Sequence, residues 1–88
     1  MSQESTEGLI AVEASVNSVF YAQPSPGEPT FVKEGDRVEA DTVVCLLEIM
    51  KCFRSVPAGI AGTVEKVVAA NGAMTKKGEA LMYIKPDA

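Results

Sequence analysis

From residue 8 onward, apolar and β-branched residues recur in short runs separated by Gly, Pro, Asn and Asp. No window carries the i, i+3, i+4, i+7 stripe of an amphipathic helix between good caps. The pattern predicts an all-β chain. Strands are expected at Leu9–Glu13, Asn17–Tyr21, a short piece at Phe31–Val32, Arg37–Glu39, Val43–Ile49, Cys52–Val56, Gly62–Val68, Met74–Lys76 and Ala80–Lys85. Residues 1–8 read as a flexible polar tail, 9–85 as one domain, and 86–88 as a short C-terminal tail.

The same pattern occurs twice. Gly35-x-x-Val38-x-x-Asp41-x-x-Val44-x-Leu46 superposes on Gly72-x-x-Thr75-x-x-Gly78-x-x-Leu81-x-Tyr83 at an offset of 37. Earlier in each half, Asn17-Ser18-Val19 superposes on Gly62-Thr63-Val64 at an offset of 45, so the first half carries eight extra residues before Gly35. These fall in the only Pro-rich stretch, residues 22–29. Asn17 stands for Gly62 and Asp41 for Gly78; both residue types tolerate positive φ, so both halves are expected to make the same bends. Two quasi-symmetric halves of about four strands each would close into a flattened β-barrel or sandwich. Met50-Lys51 then lies on the hairpin joining them.

Composition narrows the chemistry. The 88 residues, 47% hydrophobic and 23% charged, make one thin-cored domain that cannot enclose a deep substrate cavity. The chain has no His, which excludes a histidine base, a histidine metal ligand and a Ser/His/Asp or Cys/His constellation. A net charge of −4 with scattered Lys and Arg offers no stripe for nucleic acid. Cys45 and Cys52 form neither a CxxC pair nor a metal cluster and read as free thiols, with Cys45 in the core. No apolar run approaches the ~20 residues of a membrane span, and the polar start is unlike a signal peptide; a cytoplasmic protein without a membrane partner is expected.

The seam between the halves, Glu48-Ile49-Met50-Lys51-Cys52, is the place for chemistry. A two-residue hairpin favours Asn-Gly or Gly-x, yet Met50-Lys51 contains no turn-forming residue. Sites where local rules are overruled are functional candidates. The plainer alternative makes Lys51 a solvated loop lysine and Met50 a core filler.

This string and its surroundings resemble the biotinyl domain of biotin carboxyl carrier proteins of acetyl-CoA and related acyl-CoA carboxylases, within the biotin/lipoyl attachment domains. That family carries Glu-Ala-Met-Lys-Met at the hairpin between its halves. The resemblance covers residues 9–85 and includes Val19-Phe20-Tyr21, Pro24-Ser25-Pro26, Phe31-Val32-x-x-Gly35-Asp36-x-Val38, Cys45-Leu46-Leu47-Glu48, Gly62-Thr63-Val64 and the return from Gly72 to Ile84. Residues 22–29 match the thumb-like insertion of the acetyl-CoA carboxylase type.

By that resemblance, biotin protein ligase joins biotin to the amine of Lys51 through a biotinyl adenylate, reading Glu48, Met50 and Cys52. An ordinary lysine amine is almost wholly protonated at neutral pH and needs its partner to deprotonate it. The tethered biotin then shuttles as carboxybiotin from biotin carboxylase to carboxyltransferase, in the cytoplasm or, after loss of a transit peptide, the plastid stroma. The chain itself is implied to be a non-catalytic carrier, either excised from a longer protein or compact and free-standing.

Three positions depart from the family pattern: Ile49 for Ala, Cys52 for Met, and Gln23 where a Thr or Ser commonly precedes Pro-Ser-Pro. The Gln23 amide can donate and accept, and the resemblance makes it a candidate thumb contact for biotin. Three rival readings share the sequence. A lipoyl carrier has the same fold and apical lysine, with Met50 and the insertion against it. An unmodified regulatory homologue fits the departures at Ile49, Cys52 and Gln23, with the retained Lys51 against it. A self-contained enzyme lacks both histidine and a deep pocket.

Overall fold

The computed structural model describes residues 8–24 and 27–87. Within them the chain forms eight strands: β1 (Ile10–Glu13), β2 (Ser18–Tyr21), β3 (Arg37–Val38), β4 (Val43–Ile49), β5 (Cys52–Pro57), β6 (Gly62–Val67), β7 (Met74–Thr75) and β8 (Ala80–Pro86). No helix among the described residues is long and apolar enough to cross a membrane. The strands build two antiparallel sheets that do not close into a barrel. One has the order β1-β8-β6-β3, the other β5-β4-β2-β7.

Each sheet draws two strands from each half. Exchanging β1 with β5, β2 with β6, β3 with β7 and β4 with β8 turns the first strand order into the second. The two halves are thus interleaved and related by an internal two-fold. Backbone bonds repeat with it: Gly35 donates to Val64 O at 2.7 Å and Gly72 to Phe20 O at 2.7 Å, while Ala14 donates to Glu79 O at 3.1 Å and Ala58 to Thr42 O at 2.9 Å. Side chains follow suit where sequence differs. Thr42 Oγ1 accepts from Glu39 N at 2.8 Å, and in the other half Glu79 Oε1 accepts from Lys76 N at 2.9 Å.

Four sequence expectations change. Phe31–Val32 is not a strand: Phe31 N bonds only once to the loop, to Ala22 O at 2.9 Å, and Val32 enters the core directly before the turn closed by Asp36 N on Lys33 O. Secondly, Val19 does not superpose on Val64. Phe20 pairs with Leu47 as Val64 pairs with Ile84, so the offset is 44 at this point. Only that register buries Phe20 and Val64 alike, because a one-residue slip would turn every side chain to the other face. The irregularity between Val64 and Lys66 adds one residue to β6 and restores an offset of 45 beyond it. There Ala22 N bonds Asn71 Oδ1 and Val67 N bonds Glu34 Oε2. The eight-residue excess therefore lies between Ala22 and Gly35.

Thirdly, neither Asn17 nor Asp41 adopts positive φ, unlike Gly78 at 86°. Asn17 instead uses its side chain, Oδ1 accepting from Lys77 N at 2.9 Å, so the two halves turn by different means. Fourthly, Gly62 is matched by Ser18 rather than Asn17. A side chain at Gly62 would overlap the Lys85 carbonyl oxygen and come within 2.9 Å of Pro86 Cα, which is why the tight β6–β8 pairing demands glycine.

Between the sheets lies a core of Val12, Phe20, Val38, Val44, Cys45, Leu47, Val64, Leu81, Met82 and Ile84. Each fully buried side chain of this size contributes about 1.5–3 kcal/mol. The buried hydroxyls are satisfied: Ser18 donates to Val16 O at 2.9 Å and Thr75 to Ser18 O at 3.0 Å. Cys45 is a core thiol, as expected; burial raises its pKa to about 12 and keeps it protonated.

Candidate functional site: the hairpin at the repeat seam

Strands β4 and β5 pair without interruption from Cys45–Val56 up to Ile49–Cys52, leaving a two-residue loop. Its residues, Met50 and Lys51, have φ of 53° and 69° and are the only non-glycine residues of positive φ among the described ones. Positive φ at both central positions is what a type I′ hairpin requires, because that turn matches the right-handed twist of the strands. For a residue with a Cβ each such conformation costs about 1–2 kcal/mol. Met50 is 90% exposed, so no burial offsets this cost. The plainer reading of Met50 as core filler is thereby excluded.

Lys51 is exposed, and no ion pair or hydrogen bond within the described residues engages its amine. Beside it runs an open cleft of 330 Å³ lined by Asn17, Ser18, Val19, Glu48, Ile49, Met50, Lys51 and Met74. The structure thus brings Glu48, Met50 and Lys51 together. Cys52 is an exposed free thiol opposite Ile49 and outside this lining. Gln23 lies elsewhere, its amide donating to Glu28 O at 3.1 Å across the inserted loop. Ser25 and Pro26 of that loop are outside the described residues.

The outer face of the same sheet carries residues that sequence reasoning missed. Tyr21 Oη donates to Glu48 Oε1 at 3.1 Å, and the Tyr21 ring meets that of Phe53 at 5.8 Å between centroids, tilted by 54°. The hydrogen bond from the phenol to the carboxylate, helped by desolvation and the carboxylate charge, raises the Tyr21 pKa and holds the proton on the tyrosine. Phe53 is 58% exposed and Met74 66%. Alternation in β2 already sends Val19 and Tyr21 outward, but their partners become visible only with the register.

Duplication supplies an internal comparison. Where the lysine-bearing sheet has Val19, Glu48 and Met74, the equivalent positions of the other sheet hold Thr63, Lys85 and Arg37. Folding the repeat therefore does not require apolar side chains at the Val19 and Met74 positions, and the sheet that presents Lys51 is the one that has them.

No group of three or more His, Cys, Asp or Glu among the described residues could hold a metal ion. What remains is a primary amine at the tip of a continuously paired hairpin. Such an amine can be acylated by a partner that deprotonates it. An exposed lysine at the seam of a duplicated β-sandwich thus stands where an acylating partner can reach it.

The family model of biotin-requiring enzymes, the biotin/lipoyl family, matches residues 10–84, and the chain belongs to this family. It is 51% identical over 78 residues to the biotin carboxyl carrier protein of acetyl-CoA carboxylase from Chlamydia muridarum, covering 89% of this chain and 47% of that protein. The carrier protein of the same name from Nostoc sp. is 37% identical over 90% of this chain and 43% of its own length. The chloroplastic one from Glycine max is 36% identical over 89% and 30%. The chain spans less than half the length of these curated relatives.

Proposed function

We propose that this domain is the biotin carrier of an acetyl-CoA carboxylase and that Lys51 is its acceptor, read by a biotin protein ligase together with Glu48, Met50 and Cys52. The observation that carries the reading is the hairpin. The one unpaired, exposed amine on the seam is held in a turn whose two residues both pay a conformational cost. The matches to carrier proteins of acetyl-CoA carboxylase support the same conclusion.

The residues present fit the group. Once deprotonated on the ligase, the Lys51 amine attacks the carbonyl carbon of the biotinyl adenylate. The C–N bond forms, the C–O bond to phosphate breaks, AMP leaves with the electron pair, and the second amine proton passes to the ligase. When attached, biotin supplies a ureido nitrogen that takes up and hands on a carboxyl group. The protein's share is presentation. The β4–β5 ladder fixes the tether's origin, the open cleft beside Lys51 offers the arm the side chains of Val19, Ile49 and Met74 to lie against, and confinement on a small domain raises local concentration toward the millimolar range.

The carboxylation chemistry then belongs to a biotin carboxylase and a carboxyltransferase, which the loaded domain visits in turn. The place of Gln23 in an insertion at the thumb position of such carriers supports a contact of its amide with the biotin ring, made in exchange for its bond to Glu28 O. The compartment is the cytoplasm or the plastid stroma, in keeping with bacterial and chloroplastic relatives. Reconstitution tests this. Biotinylated domain mixed with biotin carboxylase, ATP and radiolabelled bicarbonate should acquire label, which acetyl-CoA and carboxyltransferase then discharge; a loaded domain that takes no label contradicts the proposal.

A further inference from the structure

The cluster of Tyr21, Glu48 and Phe53 spans three adjacent strands of the lysine-bearing sheet. Glu48 lies three residues before Lys51 on β4 and is paired directly with Val19 on β2 and Phe53 on β5. Tyr21 reaches it diagonally, from opposite Leu46. Arg54, the nearest basic residue along β5, alternates onto the other face, level with Leu47. No ion pair joins Glu48 to Lys51 although both line the same cleft. The carboxylate is half-buried, held by one phenol, and lacks a cationic partner within the described residues.

We propose that Tyr21 is a positioning residue for modification of Lys51: its hydroxyl fixes the Glu48 carboxylate on the outer face as the anionic contact for a basic side chain of the acylating ligase. This rests on the reading of Lys51 as a biotin acceptor. A partly exposed carboxylate bordered by Val19 and Phe53 and held in one orientation is a point of contact for a guanidinium or ammonium. Freed from Tyr21, the side chain would spread over several rotamers and meet that cation less often. The Tyr21 ring also meets that of Phe53, which reaches over β4 from β5, and this contact favours the same side-chain orientation.

The test is a double-mutant cycle in ligase kinetics with Tyr21→Phe, Glu48→Gln and the pair. Tyr21→Phe keeps the ring contact, and its Tm should match the wild type closely. Its KM for biotinylation should rise roughly three- to tenfold, the range for the net worth of one solvent-accessible hydrogen bond, with kcat nearly unchanged. In the Glu48→Gln background the same change should add almost nothing. Tyr21→Phe with wild-type KM overturns the proposal, as does an equal loss in both backgrounds. If the wild-type domain itself takes no biotin, the reading of Lys51 fails instead, and the two failures are distinct.

Discussion

Replacing Met50-Lys51 by Asn-Gly should make the domain more stable while abolishing its acceptor. Both residues occupy the left-handed region, at φ 53° and 69°. Removing the Cβ clash at 51 and placing the tolerant Asn at 50 recovers about 1 kcal/mol at each position. Glycine returns roughly 0.5–1 kcal/mol of that through the entropy of the unfolded chain. Truncating Met50 loses no burial, because the side chain is 90% exposed. The net gain is about 1–1.5 kcal/mol. For a domain of this size that raises Tm by roughly 4–12 °C. Thermal unfolding followed by circular dichroism, with urea melts at constant m-value, measures it. A double variant that melts at or below the wild-type temperature would show that the tip carries no conformational cost and that its sequence is not held there against local preference.

Three further outcomes follow from packing and ionisation. Gly62→Ala should destabilise by about 2–4 kcal/mol in chemical denaturation, because the new methyl group meets the Lys85 carbonyl, which is backbone and cannot swing aside. A thiol reagent under native conditions should modify Cys52 rapidly and Cys45 only on unfolding, one exposed and the other buried with its pKa raised to about 12. The raised value also sets a sign. The folded state holds the Cys45 proton more tightly than the unfolded chain, so this stabilisation is complete below about pH 9 and is lost as pH rises toward 12, a loss that Cys45→Ala should remove.

Much of the fold was readable from the chain because short amphipathic runs and their doubling leave little choice. The strands Val43–Ile49 and Ala80–Lys85 appear within a residue of their expected bounds, and the seam at Met50-Lys51 is where the repeat placed it. What escaped depends on partners far away in sequence. Val19 and Val64 look equivalent in a string, but pairing with Leu47 and Ile84 makes Phe20 the match of Val64. Asp41 suits a positive φ, yet the bend around it forms without one.

The site divides in the same way. Glu48, Met50 and Lys51 are contiguous and could be read together, whereas Tyr21 joins them only because β2 lies beside β4. Phe31–Val32 failed as a strand because two apolar residues beside a Pro-rich loop can serve the core without a ladder. Gln23 bonds within its own loop, where no local pattern announces a partner.

The central claim is that one amine, on the strained seam of the duplication, receives biotin. Intact-mass spectrometry after incubation with biotin protein ligase, biotin and ATP tests it most directly. The wild-type domain should gain one biotin, mapped by peptide digestion to Lys51, and Lys51→Arg should gain none. A wild-type domain that remains unmodified, or an Arg variant that is biotinylated equally, would contradict the account.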